Sequence, residues 1–126
     1  MRYSVRRFCY RGDFMSKEAI NFLPLTETTY LILCALSRPL HGYGIMQQVS
    51  DITEGRIILA PGTLYGALSK LTKDNLIKAV ISVESEYKKK NYILSDLGIE
   101  VVKLELQRLD KLLKESKILL GVNEGG

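Results

Sequence analysis

Apolar side chains change their spacing several times along this 126-residue chain, and each change predicts an element. The run Thr28-Thr29-Tyr30-Leu31-Ile32-Leu33-Cys34-Ala35-Leu36 is apolar nearly all round, which predicts a helix buried on more than one side. Thr26 can cap it, Glu27 suits the positive end of its dipole, and Arg38-Pro39 stops it. Leu40-His41-Gly42-Tyr43-Gly44 reads as the turn into a second helix, Tyr43 to about Thr53. There Ile45, Met46 and Val49 form the apolar stripe, and Gly55 ends the helix. Arg56-Ile57-Ile58-Leu59 is a short β-like run. A third helix opens at Pro61, whose preset φ and missing N–H suit a first turn. Leu64, Leu68 and Leu71 then follow the i, i+4, i+7 spacing of a buried seam.

The spacing next shortens. Lys78-Ala79-Val80-Ile81-Ser82-Val83 has strand character, Glu84 to Lys90 is polar and turn-like, and Lys89 to Leu94 reads as the return strand. Together they predict a β-hairpin with a long charged tip. Ser95-Asp96-Leu97-Gly98 opens a last helix that continues to about Leu120, where Gly121 ends it. It has two apolar faces. Leu97, Val101 and Leu104 can dock on the domain, while Val102, Leu106, Leu109, Leu113 and Leu120 step by four and three as a heptad seam, with Ser116 in the empty slot. A seam with no second domain to bury it predicts pairing between two copies of the chain, in preference to packing wholly within one. The all-round apolar first helix would join that interface through Tyr30 and Leu33. The expected class is mainly α with a small β-hairpin: a winged helix-turn-helix plus a long C-terminal dimerisation helix. The divisions are residues 1–24 as an N-terminal arm, partly disordered, 25–94 as the winged domain, 95–121 as the dimerisation helix and 122–126 as a disordered tail.

Composition narrows the class. Apolar residues make up 46% and charged residues 25%, as in an ordinary globular domain. A chain of this size has a modest core, so association would add stability. The longest apolar runs, such as Tyr30 to Leu36, are too short to cross a bilayer. Two cysteines without a motif and one histidine leave no zinc site of the usual spacing. No disulfide framework is visible, and the expected location is the cytoplasm. Net charge is +4, but residues 1–14 carry four arginines against Asp13, so +3 belongs to the arm and +1 to everything else. Three readings are open for this arm: an upstream start-codon artefact with Met15 the true first residue, an arm that touches DNA, or a targeting peptide lacking its apolar stretch. The first is preferred.

Candidate chemistry concentrates on the third helix. Away from its leucine seam it carries Gly62, Thr63, Tyr65, Gly66, Ser69, Lys70 and Lys73, which are small, hydroxylic or cationic and never acidic. In helix-turn-helix proteins the later helix lies in the major groove with its N-terminal part nearest the base edges. Thr63 and Tyr65 can donate to phosphates or bases, the glycines admit close approach, and Lys70 and Lys73 can neutralise phosphates. Tyr43 at the start of the second helix joins this set, and Lys88, Lys89 and Lys90 in the wing would reach flanking backbone. Each feature alone also has a plain reading, a solvated lysine turn or a partly buried tyrosine; their order and spacing carry the argument. No nucleophile–base pair, phosphate loop or metal spacing appears, so an enzyme and any cofactor are not expected. His41 lacks partners at matching spacing and reads as a polar residue near a helix start.

Residues 25–97 resemble the PadR family of bacterial transcriptional regulators. The resemblance is carried by Leu40-His41-Gly42-Tyr43-Gly44-Ile45, Pro61-Gly62-Thr63-Leu64-Tyr65-Gly66-Ala67-Leu68, Leu76-Ile77 and Tyr92-Ile93-Leu94-Ser95-Asp96-Leu97-Gly98. It implies a homodimeric winged-helix repressor on a palindromic operator in double-stranded DNA, with the last and first helices at the dimer interface. The single C-terminal helix is similar to the short subgroup that includes multidrug sensors. Some of those stack flat drugs on a tryptophan; this chain has none, so an apolar small-molecule effector would meet Leu, Val and Ile instead. The alternative from another class is a winged-helix protein–protein adaptor docking through the glycine-rich helix face.

Overall fold

Four backbone and side-chain contacts at one junction decide where the last helix begins. The computed structural model describes residues 17–83 and 88–122, in the order α1 (Lys17–Ile20), α2 (Glu27–Ala35), α3 (Gly42–Ile52), α4 (Pro61–Lys73), β1 (Ile77–Val83), β2 (Lys88–Leu94) and α5 (Asp96–Leu120). Asp74 closes α4, and Asn75 takes the left-handed conformation (φ 66°), which asparagine tolerates. The Ser95 hydroxyl donates to the Asn75 carbonyl at 2.6 Å and accepts from Gly98 N–H at 3.0 Å. Ser95 N–H also donates to the Leu76 carbonyl at 3.0 Å. A Cβ on Gly98 would stand inside 3.0 Å of that same Leu76 oxygen, so only glycine lets α5 pass here.

The leucine seam of α4 does what its spacing predicts: Leu64, Leu68 and Leu71 are buried. They share one core with Ile45 and Val49 of α3, Ile32 of α2 and its C-cap Leu36, and Val101 and Leu104 of α5. Thr26 caps α2 by accepting from Thr29 N–H at 3.2 Å. Gly121 (φ 72°) ends α5 in the left-handed region. The hairpin pairs antiparallel from Ile77↔Leu94 to Val83↔Lys88. Its root is buried through Ile77, Tyr92 and Leu94, whereas Val80 and Ile81 are exposed. The hairpin therefore leaves the body as a wing.

One expectation is corrected and two are qualified. Residues 56–59 form no strand. Leu59 is buried and Ile58 exposed, as alternation requires, but the backbone there has no neighbouring strand to pair with. The wing's third partner is instead Leu40, which exchanges hydrogen bonds with Tyr92 at 3.1 and 2.8 Å. Second, residues 17–24, placed with the arm from sequence, belong to the folded unit, because Ala19 of α1 is buried in the main core. Third, Leu33 is 0% and Val102 2% exposed within a single chain. Within one chain both pack in the core, and Val102 also borders the cavity beside Leu106. Residues 1–16 and 123–126 are outside the described residues, and with them the three readings of the arm, Cys9 and most of the tail.

A buried carboxylate ties the two ends of this unit together. Glu105 of α5 is 1% exposed; its Oε2 accepts from Leu25 N–H at 2.9 Å, and Arg108 donates through Nε at 2.5 Å and Nη2 at 3.0 Å. The Arg108 hydrogen bonds hold the carboxyl below its ordinary value, against the opposing effect of burial.

This packing can be tested at two positions. Gly98→Ala should cost on the order of 1–3 kcal/mol in urea unfolding, since a backbone oxygen has to move. Because Glu105 titrates lower when folded, its contribution is complete above the ordinary value of 4.5 and fades as pH falls through the lower folded value. Glu105→Gln should therefore lower the melting temperature at pH 7 and flatten the acid limb of the stability profile; an unchanged acid limb would refute the assignment.

Candidate nucleic-acid interface

The outward side of α4 is assembled by what its leucine seam leaves out. With Leu64, Leu68 and Leu71 turned into the core, Gly62, Thr63, Tyr65, Gly66, Ser69, Lys70 and Lys73 lie off the buried stripe. All seven of these predicted residues are exposed, and Ala67 in the same stretch is half-buried. Ala60 at the N-cap makes no side-chain hydrogen bond, and no acid stands in the first turn. The first N–H groups of α4 are left open to an external acceptor, at the positive end of the helix dipole.

The two glycines are not explained by internal packing. A Cβ at Gly62 or at Gly66 would meet nothing within 4 Å among the described residues. Gly42, the first residue of α3, is the opposite case: a Cβ there would fall inside 3.0 Å of Tyr65 Oη and Cζ. Tyr65 accordingly rests its ring edge on α3 and keeps 48% of its surface exposed. Tyr43 is more exposed still, with its ring 6.4 Å from that of His41, the N-cap of α3.

Cations are fewer in practice than in sequence. Lys70 Nζ is paired with Asp74 at 3.1 Å, so its charge is partly neutralised at the end of α4 itself. Lys73 is exposed. In the wing, Lys90 Nζ lies 5.8 Å from the centre of the Tyr92 ring. The Lys88 and Lys89 backbones pair with Val83 and Ser82 in the strand rather than in the tip; their side chains, and residues 84–87, are outside the described residues.

The predicted pairing face divides. Leu106, Leu113 and Leu120 are exposed and Leu109 is half-buried. Leu112, Ile118, Leu119 and Val122, not singled out from sequence, are exposed as well, so the end of α5 is apolar around most of its circumference. Tyr30 is half-buried, and burial raises both its hydroxyl and the Cys34 thiol beside it above their ordinary values. Both line a cavity of about 330 Å³ with Val49, Ile52, Val102 and Leu106. Gln48 also borders it, and its Oε1 is buried without a hydrogen-bond partner among the described residues. The cavity is thus more varied than the Leu, Val and Ile lining expected from sequence. Among the described residues no cluster of His, Cys, Asp and Glu could hold a metal ion, and no helix is long and apolar enough to cross a membrane.

A buried-seam helix with an open polar face, a supporting helix before it and a hairpin after it define a winged helix-turn-helix, here extended by a long C-terminal helix. The family model of the transcriptional regulator PadR-like family matches residues 32–104, over half of the chain, and the chain belongs to that family. It is 34% identical over 87 residues to an uncharacterized 37.1 kDa protein in a transposon of Streptomyces fradiae, a match that takes in 68% of this chain. The chain spans only 24% of that relative's length. The fold is similar to that of a PadR family transcription regulator from hypervirulent Clostridium difficile (TM-score 0.65, 28% identity, 75% of this chain and 99% of that one). It is also similar to Bacillus subtilis PadR, whose structure was solved in complex with operator DNA (TM-score 0.58, 25% identity, 64% of this chain and 48% of that one).

Because nothing inside the protein needs Gly66 to be glycine, Gly66→Ala should raise the unfolding free energy by about 0.5–1 kcal/mol through helix propensity alone. A loss of stability in urea titration would show that the open face is used internally.

Proposed function

We propose that two copies of this chain bind double-stranded DNA together and act as a sequence-specific transcriptional repressor on a palindromic operator. The observation that carries this reading is the outward face of α4. Its two glycines have no internal reason, its first turn has no acid, and Thr63 and Tyr65 stand beside open backbone N–H groups. The operator-DNA complex of Bacillus subtilis PadR supports it by similarity. Each α4 enters a major groove, Tyr43 and the wing lysines meet flanking phosphates, and the half-site centres lie about 34 Å apart. The seam of exposed Leu106, Leu113 and Leu120 with half-buried Leu109 holds the copies together, and Tyr30 borders it. An apolar effector fits the cavity beneath Tyr30, where Gln48 offers an unpartnered acceptor to a ligand with one O–H or N–H group.

A second reading has one observation in its favour. Outside the arm the chain carries only +1, and Lys70 is already paired. A winged-helix adaptor that docks another protein on the α4 face would need no more charge than that. A partner retained through Tyr65 and not competed by DNA would favour it.

Footprinting on the DNA upstream of the chain's own gene, across a salt series, separates the two. Protection of two half-sites about one helical turn apart is expected, with affinity falling steeply as salt rises. Lys73→Ala should lessen the slope of log K against log salt by about 1, and Tyr65→Ala with Lys70→Ala should weaken binding. Binding that is absent on every upstream fragment, or insensitive to salt, overturns the DNA reading.

A further inference from the structure

Tyr65 is braced by a second element at a point where a side chain is missing. It is the fifth residue of α4, and Gly42 is the first residue of α3. A Cβ on Gly42 would be 2.7 Å from Tyr65 Cζ and 3.0 Å from Cε1, and nearer still to Oη. The far edge of the phenol therefore lies directly on the α3 backbone, in a notch that exists because residue 42 has no side chain. Gly42 is buried, with the His41 and Tyr43 rings on either side of it in sequence. Half of the Tyr65 ring still faces solvent, between the open backbone at Gly62 and Gly66.

We propose that Gly42 is a positioning residue for DNA recognition by Tyr65, an assignment that rests on the DNA reading above. A ring held on one side by α3 loses its alternative rotamers during folding, so less freedom remains to be lost when DNA arrives. A methyl group at position 42 evicts the ring edge. The displaced atoms are the tip of a half-exposed side chain, not backbone as at Gly98, so the ring can swing toward solvent while α3 and α4 keep their places. The hydroxyl then points away from where the notch held it. The fold survives, and recognition suffers.

The test is a double-mutant cycle on the full chain, using duplex DNA from upstream of its own gene at fixed salt. Affinity and urea midpoint are measured for the wild type, Gly42→Ala, Tyr65→Ala and the double variant. Each single variant should bind about tenfold more weakly, and the double no more weakly than Tyr65→Ala. The salt slope of Gly42→Ala should match the wild type, because no cation has changed. Wild-type affinity for Gly42→Ala, or losses that multiply in the double, overturns the inference. Should Gly42→Ala fail to fold, the double variant decides: recovery once the ring is gone supports the notch, and a double as unstable as the single overturns it. A wild type that binds none of the DNA overturns the DNA reading and the role of Tyr65 with it. Multiplying losses on a wild type that binds overturn the Gly42 assignment alone.

Discussion

The whole arrangement depends on one close approach, that of Gly98 to the Leu76 carbonyl. Leu76 lies between the end of α4 and the start of β1, while Gly98 lies in the first turn of α5. Where they meet, Ser95 bonds to Asn75, Leu76 and Gly98, so the end of α4, both strands of the wing and the start of α5 share one set of contacts. The shorter of these elements, α4 and the two strands, do not hold their places alone. A two-stranded hairpin in particular has marginal stability without something to pack against. Fixing them at one point sets the angle at which α5 leaves the domain, and so where its exposed leucines stand relative to the α4 face.

Glycine is used in two opposite ways in this small molecule. At Gly98 and Gly42 the space is already filled, by a backbone oxygen in one case and a phenol in the other. At Gly62 and Gly66 the space is empty. The first pair is explained by the protein itself. The second pair weakens its helix without any internal gain, and the proposed contact with DNA is the reading that gives it a use. The two classes look identical in sequence and separate only in three dimensions.

The elements with strong periodicity are legible in the amino-acid sequence. The α4 seam, the all-round apolar α2, the hairpin and the two faces of α5 follow from side-chain spacing, and the seven small, hydroxylic or cationic residues of α4 lie exposed off the seam, where a helical wheel puts them. Short apolar runs mislead, because Ile57-Ile58-Leu59 has strand composition but no strand beside it. The Leu40–Tyr92 bridge joins residues about fifty positions apart and leaves no local trace. Val102 fits a chain–chain seam by spacing yet belongs to the core, because a seam followed along one helix does not show where the domain's own core stops. Glu105 does leave a signal: it follows Val101 by four residues on the docking stripe, with Arg108 three residues on. A charged residue on a buried stripe is worth pairing before it is passed over as solvated.

The Leu40 bridge gives the wing the mechanics of a cantilever. Its root is clamped at Tyr92, between Leu40 on one side and Ala79 on the other. Four further residue pairs, Val80↔Asn91 to Val83↔Lys88, extend past the clamp, a beam of roughly 13 Å. Leu40 lies in the short segment that joins α2 to α3. A small rotation of that segment is therefore geared to the far end of the hairpin, where lever length turns a tilt of a few degrees into a displacement on the order of 1 Å. Packing changes around α2 and α3 thus have a built-in route to the lysines of the wing, without any bending of the strands themselves.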